Sequence, residues 1–262
     1  MKSKMTLVMA LGLAIAVGAG AVFAASLTPM GWWKFDEPNG VTANDFSGFG
    51  HNGTIYGSAA FVQDADMGNV LQVYGPSGQV AVPHDASFEP ETGTISIWVK
   101  PVDGQDADLV RKTTDFMVNR QQSDTAYAYG LRIRRSGAVE GIINNDDPTA
   151  SSWLVIAASK ASTVAKGEWN HLAMRWDGTM LAVFVNGKLV AASAYTPIPG
   201  SGLSYHGSSD LQIGALWGDF SFNGSLSDLR LFSTPLSEAE INKLYTSKAP
   251  SGGKVTKNGK SR

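Results

Sequence analysis

Two runs of this 262-residue chain, far apart, each set an acid among strand-forming apolar residues: Gly31-Trp32-Trp33-Lys34-Phe35-Asp36-Glu37 near the start, and Phe222-Asn223-Gly224-Ser225-Leu226-Ser227-Asp228-Leu229-Arg230-Leu231-Phe232 near the end. A lone carboxylate is costly to bury, so Asp36 and Asp228 each call for a partner, a surface position or a metal. Aromatic rings offer a second chemistry, because the apolar face of a sugar stacks on an indole or phenol while neighbouring polar groups hold its hydroxyls. Of the seven Trp and seven Tyr, four fall in polar, loop-like stretches: Trp153, Trp217, Tyr127 and Tyr129. With Arg132, Arg134 and Asn145 as hydrogen-bonding groups, they make the candidate ligand-binding set. Other chemistries lack their residues. The four histidines, His51, His84, His171 and His206, are scattered and show no metal-ligand spacing. There is no Gly-x-Ser-x-Gly turn for a serine nucleophile and no glycine loop to cradle phosphate. The acid-rich stretches Asp64-Ala65-Asp66, Asp103 to Asp108 and Asn144-Asn145-Asp146-Asp147 contain turn residues and read as charged loops.

The elements that must position these side chains are short strands. Ile95-Ser96-Ile97-Trp98-Val99, Leu131-Arg132-Ile133-Arg134, Leu181-Ala182-Val183-Phe184-Val185 and Leu229-Arg230-Leu231-Phe232 alternate with the strand period. Turn signals separate them: Asp103-Gly104, Ser136-Gly137, Asp177-Gly178, Asn186-Gly187 and Asn223-Gly224. Between His171 and Ala194 two such turns join apolar-alternating runs, which predicts a three-stranded meander. Strands with no helical crossover form antiparallel sheets, and a chain of this length then closes as a two-sheet sandwich. One short helix is predicted near the C-terminus, over Ser237 to Tyr245, with a Ser cap, Glu in its first turn and Ile241, Leu244 and Tyr245 on one side. Asn52-Gly53-Thr54 and Asn223-Gly224-Ser225 match the glycosylation pattern but read as turns.

The ends carry other information. Lys2 and Lys4, the apolar run Thr6 to Val22 and the small-residue site Val22-Phe23-Ala24 describe a secretory signal peptide over residues 1–24. The folded domain is expected over 25–246, followed by a basic, disordered tail over 247–262. The expected location is therefore secreted, periplasmic or on the cell surface, with no membrane span in the mature chain. The absence of cysteine excludes disulfides, so the domain must hold together by core packing or metal. Leaving out Lys2, Lys4 and the five basic residues after Tyr245, the domain carries 14 basic residues against 23 acidic ones, a balance that excludes nucleic acid as its partner and suits neutral ligands and cations.

Eight motifs in order then resemble a known family: Trp33-Lys34-Phe35-Asp36-Glu37, Asp45-Phe46-Ser47-Gly48, Asn52-Gly53, Thr94 to Pro101, Gly167-Glu168-Trp169-Asn170-His171-Leu172-Ala173, Val185-Asn186-Gly187-Lys188, Ile213-Gly214 and Phe222 to Phe232. Together they are similar to the laminin G-like jellyroll domains of the concanavalin A-like lectin and glucanase superfamily, from about Gly31 to Tyr245. The resemblance implies an all-β, two-sheet antiparallel jellyroll sandwich whose concave face holds glycans in many relatives. It also implies a structural calcium in many bacterial members, for which Asp36, Asp45, a carbonyl near Gly53, and Asp228 are the expected ligands; Asp36 and Asp228 would lie side by side on the first and penultimate strands. The alternative for these acids is that Asp36 and Asp45 cap their own turns while Asp228 pairs with Arg230 or an amide. Trp32 or Trp33, Trp98, Trp169 and Trp176 fall in motifs that the family uses for core. The Glu-x-Asp-x-x-Glu run of glucanases is missing, which argues against an enzyme. The expected function is a secreted non-catalytic binding module for a glycan or cell-envelope polysaccharide, with calcium as a structural ion. The alternative is an extracellular adhesion or protein-interaction domain, and a glycoside hydrolase with an atypical catalytic set ranks third.

Overall fold

The computed structural model describes residues 27–104, 106–113, 127–145, 154–196, 203, 208–214 and 221–248. Among these residues sixteen strands run in chain order as β1 (Gly31–Trp33), β2 (Thr42–Ala43), β3 (Gly53–Tyr56), β4 (Ala60–Asp64), β5 (Gly68–Val73), β6 (Gln79–Val82), β7 (Gly93–Pro101), β8 (Ala107–Thr113), β9 (Tyr127–Ile133), β10 (Val139–Asn144), β11 (Leu154–Ala158), β12 (Asn170–Trp176), β13 (Met180–Val185), β14 (Lys188–Ala194), β15 (Leu211–Ile213) and β16 (Gly224–Phe232). A 3-10 turn spans Ala86–Phe88 and helix α1 spans Glu238–Ser247. The first sheet has the order β14-β13-β12-β7-β16-β5-β4, with β1 also on β16; the second has the order β11-β10-β9-β8-β15-β6-β3-β2. All pairings are antiparallel, as the absence of helical crossovers requires.

The predicted meander is β12-β13-β14. Its second turn has positive φ at both central residues, 50° at Asn186 and 75° at Gly187, the backbone that lets a two-residue turn follow the right-handed strand twist. Asn186 also accepts the His171 amide at 2.8 Å, tying the turn to the neighbouring strand. Between the sheets lies one core, in which the inward residues of β7 (Ile95, Ile97, Val99) meet those of β9 and β10 (Leu131, Ile133, Val139, Ile143). Trp33, Trp98 and Trp176 are fully buried as expected, whereas Trp169 is only half-buried and donates its indole N–H to Asp64 at 3.0 Å.

Helix α1 covers part of the outer face of the first sheet. Ser237 caps it in a reciprocal capping box with Glu240, and Ile241 and Leu244 pack with Ala173, Ala182, Phe184 and Phe232. The helix continues to Ser247, and Lys248 beyond it donates to Ser227 Oγ at 2.9 Å, so the first residues assigned to a tail belong to the folded body. Asn223 is a turn residue whose side chain is used at both ends, accepting the Gly75 amide at 2.7 Å and donating to Asp103 at 2.6 Å.

Among the described residues β16 is the last strand, not the penultimate one, and it is central in its sheet. Its side away from β7 is shared: Gly224–Leu226 pair with β5, and Leu229–Leu231 pair with β1. Between these partners the register against β7 slips, with Ser227 opposite Trp98 and Arg230 opposite Ser96. Leu226, Leu229 and Leu231 all point into the core, so the three-residue step from Leu226 to Leu229 needs one extra residue. Asp228 is part of that bulge, at φ 51°, a left-handed conformation that Asp tolerates better than most side chains.

Candidate functional site

The acids of the opening runs are all engaged or exposed. Asp228, 5% exposed, accepts the Trp32 indole N–H at 2.7 Å on Oδ1 and the Arg230 guanidinium on both oxygens, at 3.2 and 3.0 Å. Arg230 in turn lies 4.5 Å from the Trp32 ring centre, which closes a triangle of ring, carboxylate and guanidinium. Asp45 organises the loop after β2. It accepts the amides of Trp32, Ser47 and His51 and the Ser47 hydroxyl, all within 2.6 to 2.9 Å. Burial alone would raise the Asp45 carboxyl, but these four hydrogen bonds outweigh it and hold the pKa below the usual carboxylate value. Asp36 lies after β1 ends, exposed at its side chain, and its backbone carbonyl accepts from Asn69 at 3.0 Å. Gly53 starts β3 with its Cα facing the core, where an added Cβ would sit 2.5 Å from Val80.

This arrangement does not fit calcium, which needs six to eight oxygens with free lone pairs. The oxygens of Asp45 and Asp228 are taken by protein donors, and among the described residues no three His, Cys, Asp or Glu side chains converge in a way that could hold a metal ion. The acids take up the alternative roles of turn cap, at Asp45, and Arg230 partner, at Asp228.

The second constellation is the outward face of the second sheet. Register places Thr42, Thr54, Ala81, Gln212, Arg111, Gly130, Ile142 and Ile156 in one row across all eight strands, with Asp108, Arg132, Glu140 and Ala158 beside it on β8 to β11. The face is therefore polar and charged at its middle. Arg132 donates to Glu140 Oε2 through Nε at 3.0 Å and through a terminal nitrogen at 2.6 Å. Arg134 reaches the other Glu140 oxygen at 3.3 Å and Asp106 at 3.9 Å, while Arg111 reaches Asp108 at 3.5 Å. Asp108, Arg111, Arg132 and Glu140 are all buried; the Arg134 side chain is 39% exposed and marks the open margin. The Gln212 side-chain carbonyl is buried on this face with no hydrogen-bond partner. Asp108 and Glu140, the carboxylates beside the row, are each held by guanidinium groups, so neither stands free as an acid or base.

Of the predicted ligand residues, the structure brings Arg132 and Arg134 together, one strand period apart on this face. Asn145, just past β10, is buried; its amide nitrogen donates to the Thr196 carbonyl at 3.3 Å and its oxygen has no partner. Tyr129 goes elsewhere. It alternates into the core, stacks on Trp176 at 5.2 Å and donates its hydroxyl to the Phe88 carbonyl at 3.1 Å; burial pushes its pKa far above the usual phenol value. The polar sequence before it hid this, because the inward phase of β9 is set by Leu131 and Ile133. Tyr127 opens β9, and its side chain lies outside the described residues, as do Trp153, Trp217, the signal-like segment and the tail from 249 onward. Glu140 is a further residue of this face, and the strand pattern of its own segment does not single it out. The Ser136-Gly137 turn carried the signal, since the hairpin it closes sets Glu140 directly opposite Arg132.

A family model described as the concanavalin A-like lectin/glucanases superfamily, of laminin G type, matches residues 74–242. A stretch of 163 residues, 60% of this chain, is 23% identical to the adhesion G-protein coupled receptor V1 of Danio rerio, of which it spans 2%. Domain 4 of AbnA, a GH43 extracellular arabinanase from Geobacillus stearothermophilus solved in complex with arabinotriose, superposes at TM-score 0.55 and 17% identity, over 83% of this chain and 98% of that one. The receptor binding domain of a botulinum neurotoxin C/D mosaic serotype superposes at TM-score 0.60 and 14% identity, over 84% of this chain and 51% of that one. At such identities the structural likeness is one of fold alone.

Proposed function

Because this chain belongs to the concanavalin A-like lectin/glucanases superfamily, we propose that it is a non-catalytic binding module whose ligand is carbohydrate. The observation that carries the proposal is the outward face of the second sheet. There guanidinium, carboxylate and amide groups occupy the middle of the face, between Ala81 on one side and Ile142 and Ile156 on the other, with Arg134 at the open margin and the Gln212 carbonyl lacking a donor. Such a set of fixed donors and acceptors suits hydroxyl groups, and a sugar hydroxyl supplies the donor that Gln212 lacks. The non-catalytic part rests on the pairing of Asp108 and Glu140 with arginines, since glycoside hydrolysis needs one carboxyl protonated and a second one free. Domain 4 of AbnA, solved with arabinotriose, makes short arabino-oligosaccharides a reasonable first ligand to try. Calcium has no role in the proposal, for the reasons of geometry given above.

A glycan array with the wild type and Arg134→Ala is the test. Binding by the wild type that weakens at least tenfold in the variant is expected; a blank array for the wild type removes carbohydrate from the proposal. Sustained release of reducing ends from polysaccharide would overturn its non-catalytic part.

One observation favours a protein-interaction domain instead. Val41, Phe46, Phe49 and Tyr56 are exposed within a single short segment, and Asp45 holds the loop carrying both Phe rings rigid. A blank array would make that surface the leading reading.

A further inference from the structure

The resemblance implies calcium where this chain places its own cations. Asp228 is gripped by Arg230 through both oxygens, and the Trp32 indole takes the remaining lone-pair direction on Oδ1. Lys248, just past the end of α1, is half-buried with its ammonium on Ser227 Oγ at 2.9 Å, and the carboxylates that attract it are Asp228 and Asp36. The same small region therefore joins three distant parts of the chain: residues 32–36, residues 227–230 and the end of the C-terminal helix. The Asp228 amide adds a fourth link by donating to the Lys34 carbonyl at 3.1 Å.

We infer that Arg230 and Lys248 are built-in substitutes for a structural metal ion, so that this chain closes its two ends without calcium. The physical reason is charge balance. A divalent ion neutralises two acids from outside the chain; here one guanidinium and one ammonium do so from within, and the guanidinium satisfies Asp228 in fixed bidentate geometry. The bulge makes the substitution possible. By inserting one residue between Leu226 and Leu229 it turns Asp228 and Arg230 together to the outer face with Ser227, where a regular strand that kept Leu226 inward would send both the acid and the guanidinium into the core. The inference is independent of the proposed ligand, since it concerns a different sheet.

Thermal unfolding of the purified chain in excess chelator and in millimolar calcium gives the first reading. Equal midpoints are expected, because a ligand held only by the native state must raise them. Arg230→Gln should lower the midpoint by several degrees in both buffers, and adding Asp228→Asn to that variant should recover part of the loss, since the uncompensated charge is then gone. Lys248→Met should lower the midpoint separately. A wild-type midpoint that rises and saturates with calcium overturns the inference, and so does an Arg230→Gln midpoint equal to that of the wild type. Should Arg230→Gln fail to fold, the wild-type calcium titration still decides.

Discussion

His171 makes the stability of this domain depend on pH well above the range in which its carboxylates titrate. The ring lies between β12 and α1, 2.8 Å from Ser96 Oγ through Nε2, with Trp98 at 5.4 Å and Tyr245 at 5.9 Å between centroids. Its Nδ1 is buried without a partner. Burial pushes its pKa from 6.5 down to about 3; the Asp228 carboxylate raises it somewhat and Arg230 lowers it again. The sign follows from linkage. Below pH 6.5 the unfolded chain binds a proton at this position that the folded chain refuses, so stability is fully present above that pH and falls as pH drops toward 3. At about 1.36 kcal/mol per pH unit, the loss between about pH 6 and pH 4 comes to roughly 2 to 2.5 kcal/mol. Urea unfolding at a series of pH values, for the wild type and His171→Gln, isolates this contribution, because every other titrating group is common to both. The variant has a lower stability at neutral pH and a shallower slope in acid. Parallel stability curves for the two proteins would refute the reasoning, and with it the view that His171 stays neutral and dry beneath the helix.

Two more outcomes follow from the same structure. Asp45→Ala leaves the amides of Trp32, Ser47 and His51 without an acceptor and is expected to cost about 2 to 4 kcal/mol in chemical denaturation; because the wild-type carboxyl is shifted downward, its contribution is present above its unfolded pKa and is lost as pH falls through the lower folded value, a dependence the variant lacks. Ser237→Ala removes one half of the capping box of α1 and should lower stability by about 1 kcal/mol, read as a small drop in the thermal midpoint with no change of fold.

Much of the fold was legible in the residues because it depends on local rules. Asp177-Gly178 and Asn186-Gly187 needed only turn chemistry to place β12, β13 and β14, and Ser237 with Glu240 needed only capping to place α1. The spacing Leu226, Leu229, Leu231 even contained the bulge, though its meaning emerges only when the register against β7 is known. The candidate site was less legible. Arg132 and Arg134 share a face by strand period alone, but the polar neighbours of Tyr129 suggest a ligand contact while the phase of β9 sends it into the core against Trp176.

The amino-acid sequence by itself determined that the chain is an antiparallel β-sandwich with one capped helix, since period, turn type and cap are properties of neighbours a few residues apart. What only the tertiary structure decided is the fate of its charges. Whether Asp228 meets a metal, a backbone amide or Arg230 depends on a bulge set by three partner strands, and whether Glu140 is a free acid depends on Arg132 of the adjoining strand and Arg134 just beyond its end. A carboxylate's chemistry is set by what lies within a few ångströms of it, and in this protein those neighbours come mostly from other strands.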